Sequence, residues 1–275
     1  MKNTIFLVIL VILLAACTPK PKQTLVEIST PYGNIVVKLY DSTAKHKANF
    51  IKLAEKGYFN GTLFHRVIKN FMIQGGDPSS KNAIPGQLLG DGDTTYTIPF
   101  EYVASYLHKR GAFAAAREGD DVNPLKASSA SQFYIVQGKV FTNDELDAVE
   151  LKVERRTKQY IMMDLLKKEG KEDELKAFTQ MADKRDTANI RLMINKYRNA
   201  VDAQYMRTKP FKLTAEQRRV YTTIRGTPHL DGAYTVFGEV VSGMEIVDQI
   251  AVVETDSNDR PIQDIRLKIK IVNDK

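Results

Sequence analysis

The chain has 275 residues, 43% hydrophobic and 27% charged, with a formal net charge of +7. That is the composition of a globular protein, long enough for one or two domains with a real core. The modest positive charge comes without an arginine–aromatic cluster, which argues against nucleic acid as a partner. A single cysteine excludes an internal disulfide framework, and the sequence shows no zinc-ligand spacing.

Lys2 precedes an apolar run from Ile5 to Leu14, followed by Ala15-Ala16-Cys17. The run is shorter than the ~20 residues that cross a bilayer. Its basic start and the small residues before the break describe a signal peptide. Leu14-Ala15-Ala16-Cys17 also resembles the bacterial lipoprotein box, which implies a leader over residues 1–17, lipid on Cys17 and a membrane anchor. An ordinary secretory signal with an incidental cysteine is the alternative. Residues 18–24, with Pro19 and Pro21 between lysines, read as an extended tether.

Leu25–Ile28 and Ile35–Leu39 are β-rich runs joined by Pro31-Tyr32-Gly33-Asn34, a hairpin by turn chemistry. Ala44 to Lys56 has the apolar spacing of an amphipathic helix, and Gly57 stops it. Two short apolar runs then flank a Lys69-Asn70 turn within Phe64-His65-Arg66-Val67-Ile68-Lys69-Asn70-Phe71-Met72-Ile73-Gln74-Gly75-Gly76-Asp77. Strand alternation puts Phe64 and Arg66 on one face, and Met72 and Gln74 on one face of the next strand. Such a surface offers a fixed cation, an amide and apolar rings, which suits binding an apolar group beside an amide; an exposed arginine on a plain hairpin is the alternative. His65 reads as a packed residue, because no partner ligands lie at metal spacing. Residues 78–96 are a loop, Ala112–Ala116 a small-residue strand and Ser131–Val136 another strand.

From Thr142 the composition changes. Thr142-Asn143-Asp144-Glu145 is a capping box opening a helix that runs to Glu169, stopped by Gly170. Ile190, Met193, Ile194, Tyr197, Val201 and Tyr205 continue at helical spacing, and Thr214-Ala215-Glu216-Gln217 is a second capping box. These caps suggest an insert that forms its helices without help from the flanking strands and could be replaced by a short linker. Its apolar stripes must pack on each other, on the strands or on a client. After Gly226 the strand pattern resumes: a strand over Tyr234–Val241, a helix over Gly243–Val253 and a strand over Ile262–Val272. The chain therefore divides into 25–141 and 226–275, one barrel, interrupted by a helical insert at 142–225.

The Phe64–Asp77 block closely resembles the Phe-His-Arg…Phe-Met-x-Gln-Gly-Gly-Asp block of the cyclophilins, and the similarity covers Leu25–Lys139 and His229–Lys275 but not most of the insert. The resemblance implies a mainly β fold: a closed eight-stranded antiparallel barrel capped by two helices, here with an α-helical insertion. It implies peptidyl-prolyl cis-trans isomerase activity with Arg66 and Gln74 catalytic. Substrate would be bound by Phe71, Met72, Ala116, Gln132, Tyr134 (where the family usually has Phe), Leu230, His229 and Tyr234. Arg117 stands where the family usually has asparagine. No cofactor or metal is implied. The partners implied are proline-containing polypeptides, with the membrane reached through Cys17. The function expected is assistance to the folding of exported proteins in the bacterial envelope, anchored by lipid and facing the periplasm, with the outer membrane preferred. A client-binding chaperone or scaffold on the same fold is the alternative, and a structural envelope lipoprotein a third.

Overall fold

The computed structural model describes residues 23–92, 95–120 and 122–273. The leader and Cys17 lie outside the described residues. Eight strands form one antiparallel sheet: β1 (Thr24–Thr30), β2 (Gly33–Leu39), β3 (Phe64–Ile68), β4 (Met72–Gly75), β6 (Ala112–Ala115), β8 (Phe133–Val136), β9 (Val236–Ser242) and β10 (Lys268–Asn273). Two short strands, β5 (Thr97–Ile98) and β7 (Ser128–Ser129), pair separately. The sheet order is β10-β1-β2-β9-β6-β8-β4-β3. Its two edges meet, because Phe64 N–H donates to Ile265 O at 2.9 Å and Leu267 N–H to Thr62 O at 2.8 Å. The sheet thus closes on itself, which leaves no free edge. β1 begins at Thr24, paired with Leu39 and Asn273, so this residue belongs to the barrel and not to the tether.

Two helices cap the barrel. In α1 (Ala44–Glu55) His46, Phe50, Leu53 and Ala54 are buried at helical spacing. In the last helix, Met244–Ile250, Val247 and Ile250 do the same. Phe50 stacks on Phe59 at 4.8 Å between ring centroids and meets Phe113 edge-on at 5.2 Å, while Phe113 lies 4.6 Å from Phe237. This aromatic cluster is the barrel's core.

The insert contains α2 (Asn143–Lys168), α3 (Glu172–Asp183), α4 (Thr187–Lys196), α5 (Arg198–Arg207) and α6 (Ala215–Thr223); the closing helix Met244–Ile250 is α7. Both capping boxes form, at Thr142 with Glu145 and at Thr214 with Gln217. The helical spacing from Ile190 to Tyr205 is broken at Tyr197. There the phenol is held between Glu174, at 2.9 Å, and Lys171 Nζ, at 3.0 Å, so a tertiary bond overrides the periodicity. α3 is an element the sequence pattern left unassigned, although Gly170 and the acidic Glu172-Asp173-Glu174 mark its start.

The insert has two packing units. Far from the barrel, Met162, Leu166, Phe178, Ile190 and Val201 bury one another. At its base, Leu146 of α2 and Tyr221 of α6 pack with Leu213 and the barrel-side residues Leu107 and Phe141. Lys139 and Gly226 exchange backbone hydrogen bonds where the chain leaves and returns. Gly226 must be glycine, since a Cβ there would sit 2.4 Å from the Tyr221 ring and 2.7 Å from His108 O. The insert's base thus packs on the barrel, while its caps form within the insert as expected.

Candidate active site

β3 and β4 pair Phe64 with Gly75 and Arg66 with Gln74, leaving His65 as an extra residue. This bulge breaks the alternation. Phe64 turns into the barrel core, whereas Arg66 stays on the outer face with 44% of its side chain exposed, so the two do not share a face. His65 is buried, and burial lowers its pKa to about 4. The turn between the strands uses Asn70 at φ 61, a left-handed conformation that asparagine tolerates. At the far end Gly76, at φ 92, passes so near Ser131 that a Cβ would lie 2.2 Å from its carbonyl oxygen.

The outer face of this hairpin meets β6, β8 and the 3-10 turn Pro228–Leu230. Together they enclose a pocket of about 140 Å3 lined by Arg66, Phe71, Met72, Gln74, Ala116, Arg117, Tyr134, Leu230 and Tyr234. Met72, Tyr134 and Leu230 are buried; Phe71, Ala116 and Tyr234 are partly buried against them. A cavity of ~150 Å3 lined by apolar side chains admits benzene, so a proline ring fits. Two further expected residues lie beside the pocket. Gln132 accepts from Gln74 Nε2 at 3.1 Å and donates to Gly90 O and Gly92 O. His229 stacks on Phe71 at 5.5 Å, half-buried rather than exposed at the rim, and burial with Lys152 nearby lowers its pKa to about 4.

Arg66 Nε lies 3.6 Å from Asp259 Oδ2, and both side chains are 44% exposed. An exposed pair of this kind is worth ~0–1 kcal/mol, so the guanidinium is oriented without being locked. Gln74 is engaged with Gln132 instead of Arg66. Arg117 is tied down in the pocket wall: only 3% of its side chain is exposed, it lies 4.7 Å over the Tyr234 ring, and it donates to Ala233 O, Glu118 O and Asp120 Oδ1.

A buried polar chain runs behind the pocket. Tyr134 Oη lies 3.0 Å from His108 Nε2, and His108 Nδ1 lies 3.0 Å from Asp231 Oδ1. The other Asp231 oxygen accepts from Tyr221 Oη at 2.7 Å and from Gln217 Nε2 at 3.3 Å. Burial pushes the Tyr134 phenol well above its ordinary pKa, and burial with Asp231 beside it does the same for Tyr221, so both remain protonated donors. Two of these residues, Gln217 and Tyr221, belong to the insert. Asp259, His108 and Tyr221 were not legible as site residues, since nothing local in the sequence distinguishes them.

The family model for "Cyclophilin type peptidyl-prolyl cis-trans isomerase/CLD" matches residues 25–271. The chain is 29% identical over 248 residues to a Streptococcus pyogenes protein whose description joins a phosphatase to a peptidyl-prolyl cis-trans isomerase, covering 89% of this chain and 37% of that protein. It is 25% identical over 245 residues to the peptidyl-prolyl cis-trans isomerase ppi1 of Schizosaccharomyces pombe, covering 88% and 94%. It is 27% identical over 249 residues to the human peptidyl-prolyl cis-trans isomerase-like 1, covering 88% of each. The chain thus spans about a third of the streptococcal relative but nearly all of the fission-yeast one. A crystal structure of a Cryptosporidium parvum cyclophilin type peptidyl-prolyl cis-trans isomerase shares the fold, with a TM-score of 0.53, 19% identity, and coverage of 92% of this chain and 99% of that one. A family match running from β1 to β10, on a closed antiparallel barrel, shows that the chain belongs to the cyclophilin-type peptidyl-prolyl cis-trans isomerases.

Proposed function

We propose that this protein turns over proline-containing polypeptides at the Arg66 pocket and does so in the bacterial envelope, assisting exported proteins to fold. The observation that carries the catalytic reading is the half-exposed, oriented guanidinium of Arg66 beside an apolar pocket of proline size, with no serine, thiol or carboxylate among the described lining residues. That set suits a reaction in which no covalent bond is made or broken. Rotation about a peptide bond is opposed by ~18–20 kcal/mol of amide resonance, whereas the two X-Pro isomers differ by only ~0.5–1 kcal/mol. The barrier alone needs lowering.

Phe71, Met72, Tyr134 and Leu230 hold the proline ring by apolar burial. As the amide twists, its nitrogen regains a lone pair and its conjugation is lost. Arg66, permanently charged, donates to that nitrogen or to the neighbouring carbonyl more strongly in the twisted state than in either planar one. Gln132, tied to Gly90 O and Gly92 O, holds Gln74, whose remaining amide capacity faces the adjoining groove for the substrate backbone.

Location rests on the sequence: the leader, the lipoprotein-box pattern and Cys17 as the only cysteine support a lipid anchor. A client-binding role beside turnover draws on an open groove of about 730 Å3 in the insert, where Leu151, Tyr160, Met163 and Phe178 line the contact of α2 with α3. Proline-peptide turnover and lipid labelling test the reading together. Turnover is expected with the wild-type protein, and labelling is expected to vanish with Cys17→Ser. A folded protein without turnover would overturn the catalytic reading, and an unlabelled wild type the anchored one.

A further inference from the structure

Beside the proline pocket, on the insert side, lies a second cavity of about 90 Å3. Arg117, Leu230 and Tyr234 line both, so the two cavities adjoin and a residue flanking a proline seated in the first can reach the second. The outer wall of this cavity is the middle of α2, which contributes Lys152, Arg156 and Tyr160. Lys152 and Arg156 are four residues apart and share one helix face. That face is held in place because α2 is anchored on both sides of it, by Leu146 at the barrel seam and by Met162 in the distal cluster.

Among the described residues, Lys152 has no ion-pair partner and Arg156 has no carboxylate in contact. Asp120 is the one carboxylate lining the cavity among the described residues; it is paired with the buried Arg117, and its charge also reaches Arg156 without contact. Lys152 is exposed and makes no ion pair or hydrogen bond among the described residues. Arg156 is exposed, donates from Nε to Tyr160 Oη at 2.9 Å, and leaves its terminal nitrogens free of carboxylates. Their field reaches the pocket wall: the charge on Lys152 and, to a smaller extent, Arg156 adds to burial in lowering the pKa of His229. Two cations facing a groove that continues the peptide site attract a carboxylate and repel a cation, and such complementarity sets partner choice more than raw affinity.

We propose that this cavity is a specificity subsite, supplied by the insert, for an Asp or Glu side chain flanking the proline of the substrate. The proposal rests on the isomerase reading of the adjoining pocket. Lys152 and Arg156 bind the carboxylate as exposed ligands, and Tyr160 limits the width of the channel. The insert thereby directs the enzyme toward acidic polypeptide segments.

Proline peptides identical except for Glu, Gln or Lys at the neighbouring position, before or after the proline, test this with the full-length protein. The Glu peptide is expected to exceed the Lys peptide in kcat/KM by about threefold to tenfold in one placement, as one or two exposed ion pairs allow. That ratio should collapse toward one near 1 M salt, where the Debye length is ~3 Å. It should invert in the Lys152→Glu, Arg156→Glu double variant. Turnover of the Gln peptide reports on the isomerase reading alone. Turnover of all peptides at equal rates, or a preference unchanged by the double variant, overturns the subsite and leaves the isomerase intact. If no peptide is turned over, the isomerase reading falls, and the same Glu-to-Lys ratio measured in Kd by fluorescence titration still decides the subsite.

Discussion

The pocket has two walls of different origin. One is the β3–β4 hairpin, whose Arg66, Phe71, Met72 and Gln74 are placed by strand pairing within the barrel. The other is the Pro228–Leu230 turn, whose Leu230 and His229 are placed by Asp231, and Asp231 is held by His108 of the barrel and by Tyr221 and Gln217 of the insert. The first wall depends on a sheet that closes on itself. The second depends on a carboxylate that is 8% exposed, so its position is only as good as its partners. An addition to the fold has thus become part of the support of the site.

Breaking the second wall outright should have the largest effect. Replacing Asn143–Thr223 with a Gly-Ser linker removes Tyr221 and Gln217 and leaves Asp231 half-partnered. Loss of partners from a buried charged group costs ~3–5 kcal/mol, and urea unfolding should show it as a lower midpoint. An unchanged midpoint would make the insert a detachable module and erase the contrast between the walls.

Arg66→Ala tests the first wall. One donor aimed at developing charge is worth ~2.7–4 kcal/mol, or about 10²–10³ in rate. kcat/KM on a proline peptide should fall by that much with the circular dichroism spectrum unchanged, since Arg66 is half-exposed and its ion pair is weak.

Tyr221→Phe is a gentler probe of the insert-braced wall. It removes one buried hydrogen bond, at ~1–3 kcal/mol for the acceptor left short. Stability should drop by that amount, and KM should rise through Leu230 while kcat changes little. A fall in kcat with KM constant would place the buried chain in the chemistry instead.

Each wall carries one histidine that resists protonation, so both contribute to the pH response. Burial lowers His65 and His229 from 6.5 to about 4. Below pH 6.5 the unfolded chain therefore takes up protons that the folded chain refuses. Stability is complete above about pH 6.5, declines between 6.5 and 4 with a slope of up to two protons from these groups, and levels off below. His229→Gln should remove one proton from that slope, read from unfolding midpoints across the window, and leave the share of His65.

The smallest effect is expected of Asp259→Asn. The 3.6 Å pair is exposed and worth ~0–1 kcal/mol. Turnover should change by less than about fivefold, and a larger loss would mean that Asp259 positions Arg66 during the reaction.

What the sequence determined by itself was local chemistry. The Phe64–Asp77 hairpin, the left-handed Asn70, the glycine at 76, both capping boxes and the two barrel helices follow from residue types at short spacing. Arg66, Phe71, Met72, Gln74, Ala116, Tyr134, Leu230 and Tyr234 were named from the family's ordered motifs, and the structure brings them to one pocket. Tertiary structure decided the rest. The bulge at His65 separates Phe64 from Arg66 because the core on one side and the groove on the other claim neighbouring residues of one strand. The break at Tyr197 answers Glu174 and Lys171, more than twenty residues away along the chain. Asp259 reaches Arg66, and Tyr221 reaches Asp231, only through turns whose course depends on the closed barrel. Lys152 and Arg156 read as ordinary helix-surface charges until the packing of α2 sets them beside the pocket. Each of these is a contact between segments that share no local pattern, and a linear sequence read by periodicity and capping has no term for such a contact.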